Sequence, residues 1–272
     1  MVRLCGLAEQ MARSHRVKLA PAGIENHEGA QHGTTMEQPR RAFPSLFKPV
    51  RMVALVLILA TILPVVILRW LPPPVSAFMV NRRFAAWRDG DRHYRLRYRW
   101  VDWRQIAPNL RIAVVAAEDQ KFPHHFGFDF ESMADAWKDH EDGGRLRGAS
   151  TISQQVAKNL FLWPGRSFIR KGLEAYFTFL IELVWSKQRI LEMYLNIAEF
   201  GKGIFGAAEA SRALFGKSPA QLSREEAATL AAVLPSPLRM HAERPSTYVL
   251  DRRAWILEQM ELLGGTSYLR GL

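Results

Sequence analysis

The chain has 272 residues, of which 37 are Lys or Arg and 26 are Asp or Glu, for a formal net charge of +11 at pH 7. That balance favours an anionic partner (nucleic acid, acidic lipid headgroups or a phosphorylated substrate) without choosing among them. The single cysteine, Cys5, excludes an internal disulfide and a zinc site built on cysteine.

Residues 1–48 are polar, dotted with Gly and His and without hydrophobic period, which predicts a disordered cytoplasmic tail; Met36 and Met52 leave a later start open. Met52 to Leu68 (MVALVLILATILPVVIL) is free of charge and bracketed by Arg51 and Arg69. At 1.5 Å per residue it covers roughly 26 Å, and Trp70 and Leu71 extend it toward the ~30 Å hydrocarbon core of a bilayer. One transmembrane helix over residues 49–71 is expected; Pro64 is tolerable there, and the long preceding tail argues against a signal peptide. Arg40, Arg41, Lys48 and Arg51 before the span nearly balance Arg69, Arg82, Arg83 and Arg88 after it, so the positive-inside rule leaves orientation to functional argument. Pro72-Pro73-Pro74 ends the helix. Residues 72–104 read as a basic, aromatic juxtamembrane segment, with Trp87, Trp100 and Trp103 expected on the membrane interface and nucleic-acid contact as the competing explanation.

From residue 105 to 272 the pattern is helical almost throughout, so the domain is predicted mainly α. Helices are expected over Arg111–Glu118 and Glu131–His140, followed by a mobile charged loop at 141–148. Thr151 with Gln154 three residues on is a capping box opening a helix to Leu162, which Trp163-Pro164-Gly165 breaks. Further helices are predicted over Ser167–Trp185, Lys187–Glu199, Ser223–Leu234 and Tyr248–Leu263, with Gly201, Gly203 and Gly206 as a flexible joint. No run of alternating Val, Ile and Thr predicts a strand.

Three motifs are decoys. Gly201-x-Gly203-x-x-Gly206 matches a dinucleotide fingerprint, but a helix precedes it where a strand is required. Ser45-x-x-Lys48 matches an acylation motif, yet it precedes the span and no Lys-Thr-Gly follows. His124-His125 lacks the neighbours of a zinc site.

The chemistry-bearing residues fall in three clusters. Glu118-Asp119 is an acidic pair at a helix C-terminus, where the macrodipole opposes it and raises a carboxylate's pKa, as suits a general base; a solvated helix end is the plain alternative. Ser150, Thr151, Gln154, Gln155, Lys158 and Asn159 supply donors that sugars and phosphates require, although adjacent glutamines are usually surface residues. Arg166, Arg170 and Lys171 with Glu174 suit a phosphorylated ligand better than a plain i,i+4 ion pair.

The chain resembles the monofunctional biosynthetic peptidoglycan transglycosylases, the family that also supplies the glycosyltransferase domain of bifunctional penicillin-binding proteins. The resemblance rests on AAEDQKFPHHFGFD (116–129), GASTISQQVAKNLFL (148–162), RSFIRKGLE (166–174), ILEMYLNIAEFGKGIFG (190–206) and EAATLAAVLPSP (226–237). One departure is Ala149, where a second glycine is usual. The resemblance implies a lysozyme-like α fold at the outer face of the plasma membrane, polymerising lipid II into β-1,4-linked glycan with release of undecaprenyl diphosphate. It implies Glu118 as catalytic base, Glu174 as second glutamate, and Lys158, Arg166 and Arg170 as cations near the donor pyrophosphate. Asp119 would orient base and acceptor, and Phe122, Ser150, Thr151, Gln154, Gln155, Asn159, Lys171 and Asn196 would contact substrate. It further implies a divalent ion, Mg or Mn, near Glu118 and the pyrophosphate with ligands unassigned, and no organic cofactor. Expected partners are lipid II, the growing glycan and membrane lipids, with cell-division or elongation proteins left open and nucleic acid excluded. The rival readings are a lytic or lysozyme-like glycosidase, whose sugar leaving group needs a protonated acid in place of cations, and a membrane-tethered adaptor without activity.

Overall fold

A computed structural model describes residues 47–141, 150–165 and 167–272. The expected tail up to residue 46, the expected loop beyond Glu141, Ala149 and Arg166 lie outside the described residues.

Ten helices are described: α1 (Phe47–Leu68), α2 (Ala77–Arg88), α3 (Pro108–Glu118), α4 (Phe130–Glu141), α5 (Ile152–Phe161), α6 (Phe168–Val184), α7 (Lys187–Ile197), α8 (Gly206–Phe215), α9 (Arg224–Val233) and α10 (Thr247–Leu262). Their starts follow local chemistry. Ser76, Thr151, Ser167, Ser186, Ser223 and Ser246 each cap a helix by accepting from a backbone N–H three residues on. Pro108 opens α3, where a missing N–H leaves nothing unpaired. Leu110 and the run Ile112–Ala116 are buried, so the middle of α3 is enclosed and packs against α9 and α10. On the other side α5 packs between α6 and α7.

Two features depart from the sequence reading. Arg97–Tyr98 (β1), Glu199–Gly201 (β2) and Ile204–Phe205 (β3) form a small sheet in the order β1-β3-β2, with β1 parallel and β2 antiparallel to β3. Strands this short leave no alternation to detect. The expected glycine joint is this hairpin, and α8 begins directly after it. Gly206 is buried at φ 79°, and a Cβ there would collide with the backbone carbonyl of Asn196. Asn196 is itself fully buried: its Oδ1 accepts from Val101 N–H at 2.9 Å, and its Nδ2 donates to the carbonyls of Val101 and Glu192 at 2.9 Å each.

The end of α1 is built into the domain. The last carbonyls of a helix lack intrahelical partners. Here Trp185 donates through Nε1 to the Val65 carbonyl at 2.7 Å, and Arg189 donates to Leu68 at 2.9 Å and to Leu71 at 2.8 Å. Farther up, Thr61 and Tyr176 share a hydroxyl hydrogen bond of 2.9 Å. Arg189 lies over the Trp100 ring at 4.8 Å, and Arg111 over Trp103 at 3.9 Å. These two tryptophans are therefore held half-buried against the core, and Trp87 is the most open of the three, at 75% exposure.

Replacing Gly206 with Ala is expected to destabilise the fold by at least ~1–3 kcal/mol, the strain of a left-handed backbone without glycine, before the collision with Asn196 is counted. Gly216→Ala is the control: its φ is 66°, but its Cβ would meet open space. Thermal melting of the two variants should give a clearly larger fall in Tm for Gly206→Ala; equal falls would contradict the packing described.

Candidate active site

Glu118 ends α3 and Asp119 follows it, but their carboxylates diverge. Asp119 Oδ2 accepts from the N–H of Ile152, the first residue of α5, at 2.9 Å, and both its oxygens meet His125 Nε2 at 2.9 and 3.0 Å. An anion at a helix N-terminus is favoured by unpaired N–H groups and the dipole. Thr151 closes the same corner: its Oγ1 donates to the Gly127 carbonyl at 2.7 Å, and its N–H is capped by the Gln154 side chain at 3.0 Å. Asp119, Thr151 and Gln154 thus fasten the start of α5 to the end of α3.

Glu118 faces the other way, into a cleft of about 250 Å³ whose walls include Asp119, Lys121, Asp129, Ser150 and Trp255. Gln155, one turn along α5, donates through Nε2 to Glu118 Oε2 at 2.9 Å. The amide of Gln155 is oriented in turn by Tyr194 of α7, whose hydroxyl donates to Gln155 Oε1 at 3.2 Å. Burial of the Tyr194 hydroxyl, with Glu118 and Asp119 nearby, holds its pKa well above the ordinary tyrosine value, so it remains a donor. Arg252 of α10 approaches Glu118 Oε1 at 3.7 Å.

Burial pushes the Glu118 carboxyl above the usual glutamate range, and Asp119 adds to the shift; the Gln155 hydrogen bond and the charges of Arg252 and Lys158 offset part of it. The direction agrees with the sequence argument, but the leading cause is desolvation, not the dipole of α3.

Lys158 stands about one turn beyond Gln155, between Glu118 and Glu174. Burial lowers its pKa, Glu174 pulls it up, and Arg170 and Lys171 push it down. On α6, Glu174 is buried at 3% exposure, with Oε2 receiving Arg170 Nη1 at 2.6 Å and Oε1 receiving Lys171 Nζ at 2.5 Å. The plain ion pair and the cation cluster are thus the same object: Glu174 holds two cations beside Lys158. Among the described residues, Lys158 has no carboxylate within 4.0 Å.

The remaining expected residues separate by burial. Ser150 is exposed at the cleft and Asn159 is buried on α5. Phe122 is fully buried beneath Lys187, 4.7 Å from its ring centroid, and Asn196 is locked among backbone groups; both serve the fold, not the cleft surface. Sequence reasoning missed Tyr194, His125 and Arg252 as parts of the site. Arg252 and Trp255 are one turn apart on an otherwise plain helix, the one local signal there was.

No three His, Cys, Asp or Glu side chains converge on a metal-sized point among the described residues. Both oxygens of Glu174 and of Asp119 are already engaged by cations or donors. This donor set does not make a protein-built metal centre among the described residues.

Residues 88–261 match the family model described as Transglycosylase. The chain is 54% identical over 232 residues to a biosynthetic peptidoglycan transglycosylase of Xanthomonas campestris pv. campestris (strain B100), covering 85% of this chain and 94% of that one. It is 56% identical over 208 residues to one of Pseudomonas entomophila (strain L48), covering 76% and 88%. A protein of the same name in Xylella fastidiosa (strain M12) is 54% identical over 217 residues, covering 80% and 89%. With that model lying across the cleft-forming helices and these relatives matched over nearly their whole lengths, the chain belongs to the transglycosylase family.

Proposed function

We propose that this chain is a single-span, membrane-anchored peptidoglycan glycosyltransferase that joins lipid II units into β-1,4-linked glycan on the outer face of the plasma membrane. The observation that carries the reading is the pairing, across one turn of α5, of a desolvated glutamate with a cation cluster gathered on the buried Glu174: Glu118 beside Gln155, then Lys158 beside Arg170, Lys171 and Glu174.

The reaction follows from that pairing. The donor sugar is α-linked to pyrophosphate and the product is β-linked, so one inverting displacement suffices. Glu118 takes the proton of the acceptor 4-hydroxyl, whose oxygen forms the new bond to the donor C1. The C1–O bond to pyrophosphate breaks, and its electron pair leaves with undecaprenyl diphosphate. That departing group needs positive charge, not a proton, and Lys158 with Arg170 and Lys171 supplies it; Arg166 is assigned to the same task by its place in the motif. A glycosidase would instead require an acid beside its leaving group, where this chain presents cations. Burial raises the carboxyl's basicity and Gln155 keeps it aimed.

A bilayer-bound substrate suits the anchor. Pro49–Leu68 is long and apolar enough to cross a membrane. The face of α6 beside it leaves Phe168, Ile169, Phe179 and Leu183 exposed, which fits a domain seated against lipid.

Glu118→Gln is expected to lower lipid II polymerisation by roughly 10²–10⁴-fold, read as loss of the glycan ladder on gels. The same variant should melt at a higher temperature at neutral pH. The folded-state pKa of Glu118 lies above its unfolded value, so the folded chain binds the proton more tightly in that window, and stability falls as pH rises through it. The gain in Tm should vanish in acid below the ordinary glutamate range; no gain at neutral pH would count against the buried-base assignment. Lys158→Ala should cost about 10²–10³-fold in turnover with the fold intact, as for loss of one preorganised charge partner; unchanged turnover would place Lys158 outside the reaction.

A further inference from the structure

The helix that follows the span presents an apolar stripe that no other described residue covers. Val80, Phe84 and Trp87 of α2 are 53%, 58% and 75% exposed. Spaced four and three residues apart, they share one face of the helix. The rings of Phe84 and Trp87 lie 5.6 Å apart. The opposite face is committed inward: Met79 is fully buried, Phe78 meets Phe205 edge-on at 6.4 Å, and Arg82 binds Glu199 at 2.8 Å. The stripe's outward orientation is therefore fixed by packing. It continues back to the span through Trp70, Leu71 and Val75, all exposed in the short link 69–76.

Beside the stripe, Arg83, Trp87, Arg92 and Tyr94 line a cavity of about 410 Å³ between the end of α2 and the turn after it. Asp91 also lines it, but its charge is met by Lys202 at 2.5 Å. Arg83 and Arg92 have no carboxylate within 4.0 Å among the described residues.

We propose that α2 is a second, surface-lying membrane contact, with Val80, Phe84 and Trp87 at the acyl boundary and the Arg83–Arg92 cavity receiving the phosphate of an anionic phospholipid from the same leaflet. This rests on the reading of α1 as a span. The occupant follows from continuity: a helix joined to the membrane exit by a short link stays within reach of that bilayer, and its chemistry matches an interfacial amphipathic helix. Trp sits at the headgroup level, Arg reaches out along its own stem to phosphate, and an anionic leaflet attracts each such cation. The consequence is a fixed orientation, because a span and an in-plane helix together stop the domain from swivelling over its substrate.

The test uses the full chain with Cys5→Ser, carrying one fluorophore-labelled cysteine at Phe84→Cys or, as reference, at Ile58→Cys within α1. Each is reconstituted in phosphatidylcholine vesicles with and without phosphatidylglycerol, then quenched by shallow or deep lipid nitroxides or by aqueous iodide. The Ile58 label should respond to the deep nitroxide; its failure to do so overturns the span itself. With that reference in place, the Phe84 label should respond to the shallow nitroxide, more strongly when phosphatidylglycerol is present, and Arg83→Ala with Arg92→Ala should abolish that increment. A Phe84 label quenched mainly by iodide overturns the interfacial placement. A label reached by neither quencher means that protein covers the stripe, and also overturns it. A phosphatidylglycerol increment that survives loss of both arginines overturns the headgroup site.

Discussion

Asp119 is the joint on which the site depends. Its carboxylate binds the first N–H of α5 and the ring of His125, so the last turn of α3 and the first turn of α5 meet at one buried anion. Because that joint consumes Asp119, the neighbouring Glu118 is turned toward Gln155 and the cleft. Every later element of the site is then a matter of helical spacing along α5: Thr151 at the cap, Gln155 one turn in, and Lys158 roughly one turn beyond. The two adjacent acids have opposite fates, one tied into the frame and one left unpaired enough to accept a proton.

The packing of α5 between α6 and α7 extends this frame in both directions. From α7, Tyr194 sets the orientation of the Gln155 amide and thus of the carboxylate beyond it. From α6, Glu174 collects Arg170 and Lys171 beside Lys158, which keeps several like charges together without mutual repulsion driving them apart. The same two helices grip α1: Tyr176 and Trp185 of the α6 segment and Arg189 of α7 bind its Thr61 hydroxyl and terminal carbonyls. The elements that hold α1 are thus the elements that hold the cations, which ties the position of the site to that of α1.

Much of this was legible in the sequence, for reasons that can be named. The apolar helix α1, the capping box at Thr151 and Gln154, and the other helices are local signals, carried by composition and by three- and four-residue spacings. Glu118 stood out because an acid at a helix C-terminus opposes the dipole, and Lys158 as one of the donors on α5 that sugars and phosphates require. The rest depended on which helix faces which. Tyr194 and Arg252 reach Glu118 only through tertiary packing, and a buried asparagine such as Asn196 looks like any polar residue until its backbone partners are known. The strands were too short to show a period. The dipole argument for Glu118 pointed in the direction that burial produces, and burial cannot be seen from one helix alone.

The central claim is that catalysis rests on a glutamate kept basic by burial within a fully folded cleft. The most direct measurement is the titration of the Glu118 carboxyl by carbon-13 NMR on glutamate-labelled protein, assigned by difference against Glu118→Gln, alongside the pH dependence of turnover. The account predicts a midpoint above the ordinary glutamate range, with turnover lost on acidification through the same midpoint. A carboxyl that titrates at or below the ordinary range, or turnover that falls at a pH unrelated to it, would contradict the account.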